Sequence, residues 1–109
     1  MTIKDLTNLL QGKELYVEEP DRIIESGYAG DLLSFVMGRA PSGCAWFTVM
    51  TNINICAVAV LADIAVIVVC EGCEVDENVI AKARQQGINI ISTELDIFGA
   101  IKKIDAGQI

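Results

Sequence analysis

The run Ile64-Ala65-Val66-Ile67-Val68-Val69-Cys70 sets the frame for this chain. It has no charged or hydrogen-bonding side chain apart from the terminal thiol, and most of it is β-branched. Such a run reads as a strand buried on both faces, which occurs where helices cover both sides of a parallel sheet. Together with the preceding residues it forms an apolar stretch from Ile53 to Cys70, interrupted only by Asn54 and Asp63. Insertion into a bilayer would place Asp63 near the centre, at about 3 kcal/mol. The stretch also changes character at Asp63, from alanine-rich to β-branched. A buried helix followed by a central strand accounts for it, and no membrane span is expected.

Similar units flank this one. Ala45 to Met50 reads as a strand, Thr51-Asn52 as a tight connection and Ile53 to Ala62 as a helix. After Cys70, Glu71 to Glu74 forms a loop, Asp76 caps a helix with Val79, Ile80 and Ala83 inward, and Gly87 ends it. Ile88 to Ile91 is a strand. Ser92-Thr93 then caps a last helix whose buried face is Ile97, Phe98, Ile101 and Ile104. Earlier, Thr2 and Asp5 open a helix that buries Ile3, Leu6, Leu9 and Leu10 and ends at Gly12. Leu15 to Val17 is a short strand and Glu18 to Asp21 a turn. Ile23-Ile24 begins an extended piece that runs into a Ser26 to Gly30 loop. Asp31 caps a short helix with Leu32, Leu33, Val36 and Met37 on its face, ending at Gly38. Repeated strand–helix units with short links predict βαβ crossovers. The expected fold is α/β: a single domain over 1–109, with a mostly parallel sheet and flanking helices.

Composition narrows the function. The 109 residues fit one domain, and 52% are hydrophobic, with a mean hydropathy of +0.46. A small globule has much surface for its volume, so part of this apolar surface is expected to meet a partner, most simply a second copy. The net charge is −7, and Lys102-Lys103 is the only basic pair. Nucleic-acid and anionic-membrane contact both need clustered cations, so both are disfavoured. No secretory leader pattern opens the chain, and Cys44, Cys56, Cys70 and Cys73 are expected as free thiols in a cytoplasmic setting.

In an open α/β sheet, ligands bind beyond the carboxyl ends of the strands. Those ends are Thr51-Asn52, Glu71 to Cys73 and Ser92-Thr93, each before a helix whose free N–H groups favour an anion. Against this, Glu71, Glu74, Asp76, Glu77, Glu94 and Asp96 crowd the same edge, and capping is the favoured reading for them. Thr51, Asn52 and Asn54 form the uncharged polar cluster there, the place for a neutral small molecule. Ser26-Gly27-Tyr28-Ala29-Gly30-Asp31 offers a second loop, where two glycines permit close backbone approach. It is not G-x-G-x-x-G, and no P-loop occurs. The small-molecule contacts expected are therefore Ser26, Gly27, Tyr28, Gly30, Asp31, Thr51, Asn52, Asn54, Glu71 and Gly72. A tight capped connection is the plainer reading of the 26–31 loop.

Cys70-Glu71-Gly72-Cys73 is a C-x₂-C. Metal sites normally need four ligands, and the chain has no histidine, so a metal or iron–sulfur group would need Cys70 and Cys73 from two subunits. Two structural thiols are the favoured reading, and no cofactor is expected. The lack of histidine also removes the usual general base near neutral pH, so catalysis is not expected.

Three segments carry a resemblance: Gly27 to Met37 (GYAGDLLSFVM), Ala45 to Ile55 (AWFTVMTNINI) and Val68 to Gly72 (VVCEG). In pattern and spacing the chain resembles a stand-alone DRTGG-domain protein over nearly its whole length, although the five-letter motif does not occur literally. The resemblance implies a βαβ-rich regulatory module. Related domains stand beside CBS domains in regulated pyrophosphatases and at the N-terminal side of some phosphotransacetylases. The N-terminal domain of HPr kinase/phosphorylase is similar in fold, but kinase activity is rejected here because the P-loop is missing. The resemblance further implies pairing through the domain and, for small members, proximity to iron-hydrogenase systems. The expected function is a non-catalytic regulatory, ligand-sensing or interaction module, a homodimer that binds a small ligand such as a nucleotide or a protein partner. The alternative is a redox or metal-handling accessory that uses Cys70 and Cys73.

Overall fold

The computed structural model describes residues 1–105 and 107–109. Thr2 opens α1 (Ile3–Leu9) with a reciprocal cap. Its Oγ1 accepts from Asp5 N at 3.1 Å, and its own N–H donates to Asp5 Oδ2 at 3.0 Å. This satisfies two of the N–H groups that a helix start leaves free. The chain then forms β1 (Lys13–Tyr16), β2 (Ser26–Ala29), α2 (Leu33–Arg39), β3 (Cys44–Thr48) and α3 (Asn54–Leu61). It ends with β4 (Val66–Val69), α4 (Glu77–Gln86), β5 (Ile90–Ser92) and α5 (Ile97–Lys102).

The five strands form one sheet in the order β1-β5-β4-β3-β2. Strands β2 to β5 pair parallel, and β1 closes the far edge antiparallel to β5. The segments 45–50, 64–70 and 88–91 thus contain neighbouring parallel strands, as their sequence implied. β3 and β4 are buried at every position, the pattern of central strands.

Alternation along these strands divides the core. Trp46, Ile67, Val69 and Ile90 pack with α2, α3 and α4, through Val36, Ile55, Cys56, Val79 and Ala83. Phe47, Val66, Val68 and Ile91 pack with α1 and α5, through Ile3, Leu6, Leu10 and Ala100. The result is three layers, with the sheet in the middle. Strand order advances in one direction from β2 to β5 and the crossover helices share one layer, so the three crossovers have one hand.

Asn89, 1% exposed, is a polar anchor at the amino edge of the parallel strands. Its Oδ1 accepts from Glu18 N at 2.8 Å and Glu19 N at 3.2 Å, and its Nδ2 donates to Ala65 O at 3.0 Å. The turn after β1 is thereby tied to the approach to β4. Asp63, with φ +53, turns the chain from α3 towards β4 and accepts from Ser42 Oγ and from an Arg22 guanidinium N–H.

Several local expectations are corrected. Ser26 to Ala29 is a strand, not a loop, because its backbone pairs with Cys44 to Phe47. Asp31 does not cap α2; Leu32 holds the N-cap position without a side-chain bond, and Asp31 turns to β3 instead. On α2 only Val36 is buried, while Leu32 and Met37 are more than half exposed. Asp76 stands at the N-cap of α4 but makes no side-chain cap. Ser92 belongs to β5, and α5 is capped by Asp96, which accepts from Gly99 N at 2.8 Å. α5 buries Ala100 and leaves Phe98 and Ile101 exposed.

Candidate functional site

Because β2 to β5 run the same way, the segments that follow them meet along one edge of the sheet. Asp31 fastens this edge near β2. Its Oδ1 accepts from Thr48 Oγ1 at 2.7 Å and from Val49 N at 2.9 Å, so the turn after β2 is clamped to the end of β3. Thr48 Oγ1 in turn accepts from Met50 N at 3.1 Å. Gly30 belongs to the same clamp: its N–H donates to Phe47 O, and its carbonyl accepts from Trp46 Nε1 at 2.8 Å. Asn52 Oδ1 accepts from Asn54 N at 2.9 Å, a local Asx turn that opens α3. Thr51 is half-buried beside it.

The loop after β4 is pinned onto the segment after β5. Glu71 N donates to Leu95 O at 2.8 Å and Gly72 N to Thr93 O at 2.9 Å. Both residues have positive φ, +65 for Glu71 and +63 for Gly72. Beside them a groove of about 400 Å³ runs between β1, β5 and the start of α4. Glu74, Glu77 and Glu94 line it against one ammonium, Lys13, and Gly72 and Cys73 contribute to its wall. Three carboxylates against one ammonium give this groove an excess of acidic side chains.

A second cavity, about 280 Å³, lies on the α1/α5 side of the sheet edge. Gly27, Tyr28, Ala29 and Phe47 form the strand side, and Ile101, Ile104, Asp105 and Ile109 form the other wall. The space exists because β2 presents only glycine and alanine to this face, while the short α5 stops above it. Gly27 and Tyr28 are thus brought together in a cavity. Ser26 sits at the opposite, amino end of β2, with its Oγ buried and without a hydrogen-bond partner among the described residues. Sequence reasoning missed Ala29, Phe47, Ile101, Ile104, Asp105 and Ile109. The available signal was the small residues at Gly27 and Ala29, two apart on one strand face.

The two cysteines of the C-x₂-C contribute to different cores. Cys70 is fully buried on the α1/α5 side, and Cys73 packs against the opposite layer. Burial first, then the negative charges of Asp96, Glu71 and Asp31, push the Cys70 thiol up to about 11. Such a thiol is a poor nucleophile at neutral pH. Cys44 is likewise pushed up to about 11 by burial. Among the described residues no three His, Cys, Asp or Glu side chains are grouped to hold a metal ion. No described helix is long and apolar enough to cross a membrane.

Fold and site together define an α/β domain with a parallel sheet whose strand ends are closed by backbone and carboxylate clamps. The chain belongs to the DRTGG-domain family: residues 47–106 match the DRTGG domain. It is also similar in fold to a crystal structure from Clostridium perfringens, the CBS and DRTGG domains of the regulatory region of a pyrophosphatase complexed with its activator, diadenosine tetraphosphate. That match has a TM-score of 0.73 at 16% identity, covering 93% of this chain and 44% of that one. This chain therefore spans less than half the length of that regulatory region. No curated protein matches the chain.

Proposed function

We propose that this chain is a non-catalytic regulatory module that senses a small ligand, with an adenine nucleotide as the first candidate, and that it acts as a homodimer. The observation that carries this reading is the fold shared over 93% of the chain with a regulatory region bound to a dinucleotide activator. The cavity beside Gly27 supports it. Apart from Asp105 its walls are apolar and suit a planar base, and its open side lets charged phosphates stay in solvent, away from the acidic groove. The clamps at the strand ends supply a rigid frame, so a ligand here would act by stabilising one arrangement of α5 and the C-terminal residues against β2.

Thermal denaturation with AMP, ATP, diadenosine tetraphosphate and acetyl phosphate tests the reading. A ligand at a hundredfold excess over its Kd stabilises by about 2.7 kcal/mol, on the order of 10 °C in a domain this size. A saturable rise of that kind with at least one of these compounds is expected. A Tm that none of them moves would overturn it.

A further inference from the structure

The α2 and α3 part of the crossover layer is unusually poor in charge, in contrast to α4, which carries Glu77, Lys82 and Arg84. From Leu32 to Ala62 the one charged side chain is Arg39, in a chain whose net charge is −7. α3 is the middle helix of that layer, in contact with α2 on one side and α4 on the other. Its outward stripe is Ile53, Asn54, Ala57, Val60 and Leu61, all exposed, with Leu61 at 72%. Beyond Asn54 the helix is apolar on every side, and such a helix is ordinarily covered on every side.

We propose that α3 pairs with α3 of a second copy across a two-fold axis at Ala57. This rests on the homodimer named above and adds the surface that forms it. The stripe is self-complementary. Ile53 and Leu61 lie four residues to either side of Ala57, along one i±4 ridge. When two such helices cross with Ala57 against Ala57, Ile53 of each copy meets Leu61 of the other. The small central residue lets the helices approach to the usual 8–10 Å separation, and ridges of this kind interlock at about −50°. A two-fold contact needs a patch that matches itself, and this one does.

Charge and area point to the same occupant. Two copies at −7 repel one another unless they meet over a face without acids, and α2 and α3 supply that face. A standard interface takes about 800 Å² from each partner, roughly a seventh of the 5678 Å² surface. Val60 and Leu61 on α3, with Leu32, Phe35 and Met37 on α2, supply exposed apolar area for its centre, and Arg39, stacked on Phe35, sits among them.

Sedimentation velocity and directed cross-linking test the pairing. The wild-type protein is expected to sediment as a dimer and Leu61→Arg as a monomer with an unchanged circular dichroism spectrum, since Leu61 is largely exposed. Ala57→Cys, treated with diamide, is expected to give a covalent dimer, because a residue on the axis meets its own copy within disulfide reach. Phe98→Cys, exposed on the α5 side, is expected to give none. A monomeric wild type, a Leu61→Arg protein that stays dimeric, or equal cross-linking of both cysteine variants would overturn the proposal. A monomer that still shows the saturable thermal shift would remove the pairing and leave ligand sensing standing.

Discussion

Asp31 and Asn89 show how single polar side chains hold this domain together. Asp31→Ala removes the acceptor of the buried Thr48 hydroxyl and of Val49 N, and is expected to destabilise by about 1–3 kcal/mol. Asp31→Asn keeps an acceptor oxygen and is expected to recover most of that. Asn89→Ala strands Glu18 N, Glu19 N and Ala65 O in one step, so a loss of about 2–3 kcal/mol in urea denaturation is expected. Ser26→Ala works in the other direction: it removes a buried hydroxyl without a partner among the described residues and is expected to stabilise by about 1 kcal/mol. The thiols give a pH test. Cys44 and Cys70 are pushed up to about 11 in the folded chain, against an unfolded value near 8.5. The folded state then holds more protons between those values. Stability is present in full below the lower one and falls as pH rises towards the higher. At pH 8 a disulfide reagent is expected to react quickly with half-buried Cys73 and with the other three only on unfolding. Rapid reaction of Cys70 would contradict its burial.

At the level of elements, hydrophobic periodicity located the helices and most strands to within a few residues, but it read β2 as a loop and began the last helix too early. The signal was strongest where burial is two-sided, as in Val66 to Val69 and Cys44 to Thr48. Gly87 ends α4 as its sequence position implied, with φ +70; Gly87→Ala is expected to cost about 1 kcal/mol because a Cβ is disfavoured there. What the sequence concealed was the partner of each polar residue. Asp31 before an apolar helix looks like a cap, yet it accepts bonds from a strand seventeen residues on, because parallel pairing brings the two strand ends together. Phe98 and Ile101 carry helical spacing, yet both stay exposed, and Ala100 is the residue that α5 buries. The same blindness applied to the cavity. Gly27 and Tyr28 could be singled out within the 26–31 segment, but the wall of Ile101, Ile104, Asp105 and Ile109 is distant in sequence and follows only from the α1/α5 layer lying over β2.

The whole molecule has two unlike sides. The α2 and α3 part of the crossover layer carries a single charge and is apolar at its middle helix, while acids gather at the groove between β1, β5 and the start of α4 and elsewhere on the surface. The cavity lies across the sheet from the crossover layer, so a ligand and a second copy would not compete for the same surface. The account depends most on that cavity holding a ligand. Gly27→Val tests it cleanly, since a Cβ at Gly27 meets Phe47 Cε1 at an ordinary 3.6 Å and the added methyls extend from a strand position that suits a β-branched residue. Isothermal titration of wild type and Gly27→Val with AMP and diadenosine tetraphosphate is the most direct measurement. Saturable heat in the wild type that is lost in Gly27→Val is expected; no heat from the wild type, or equal binding by both proteins, would contradict the account.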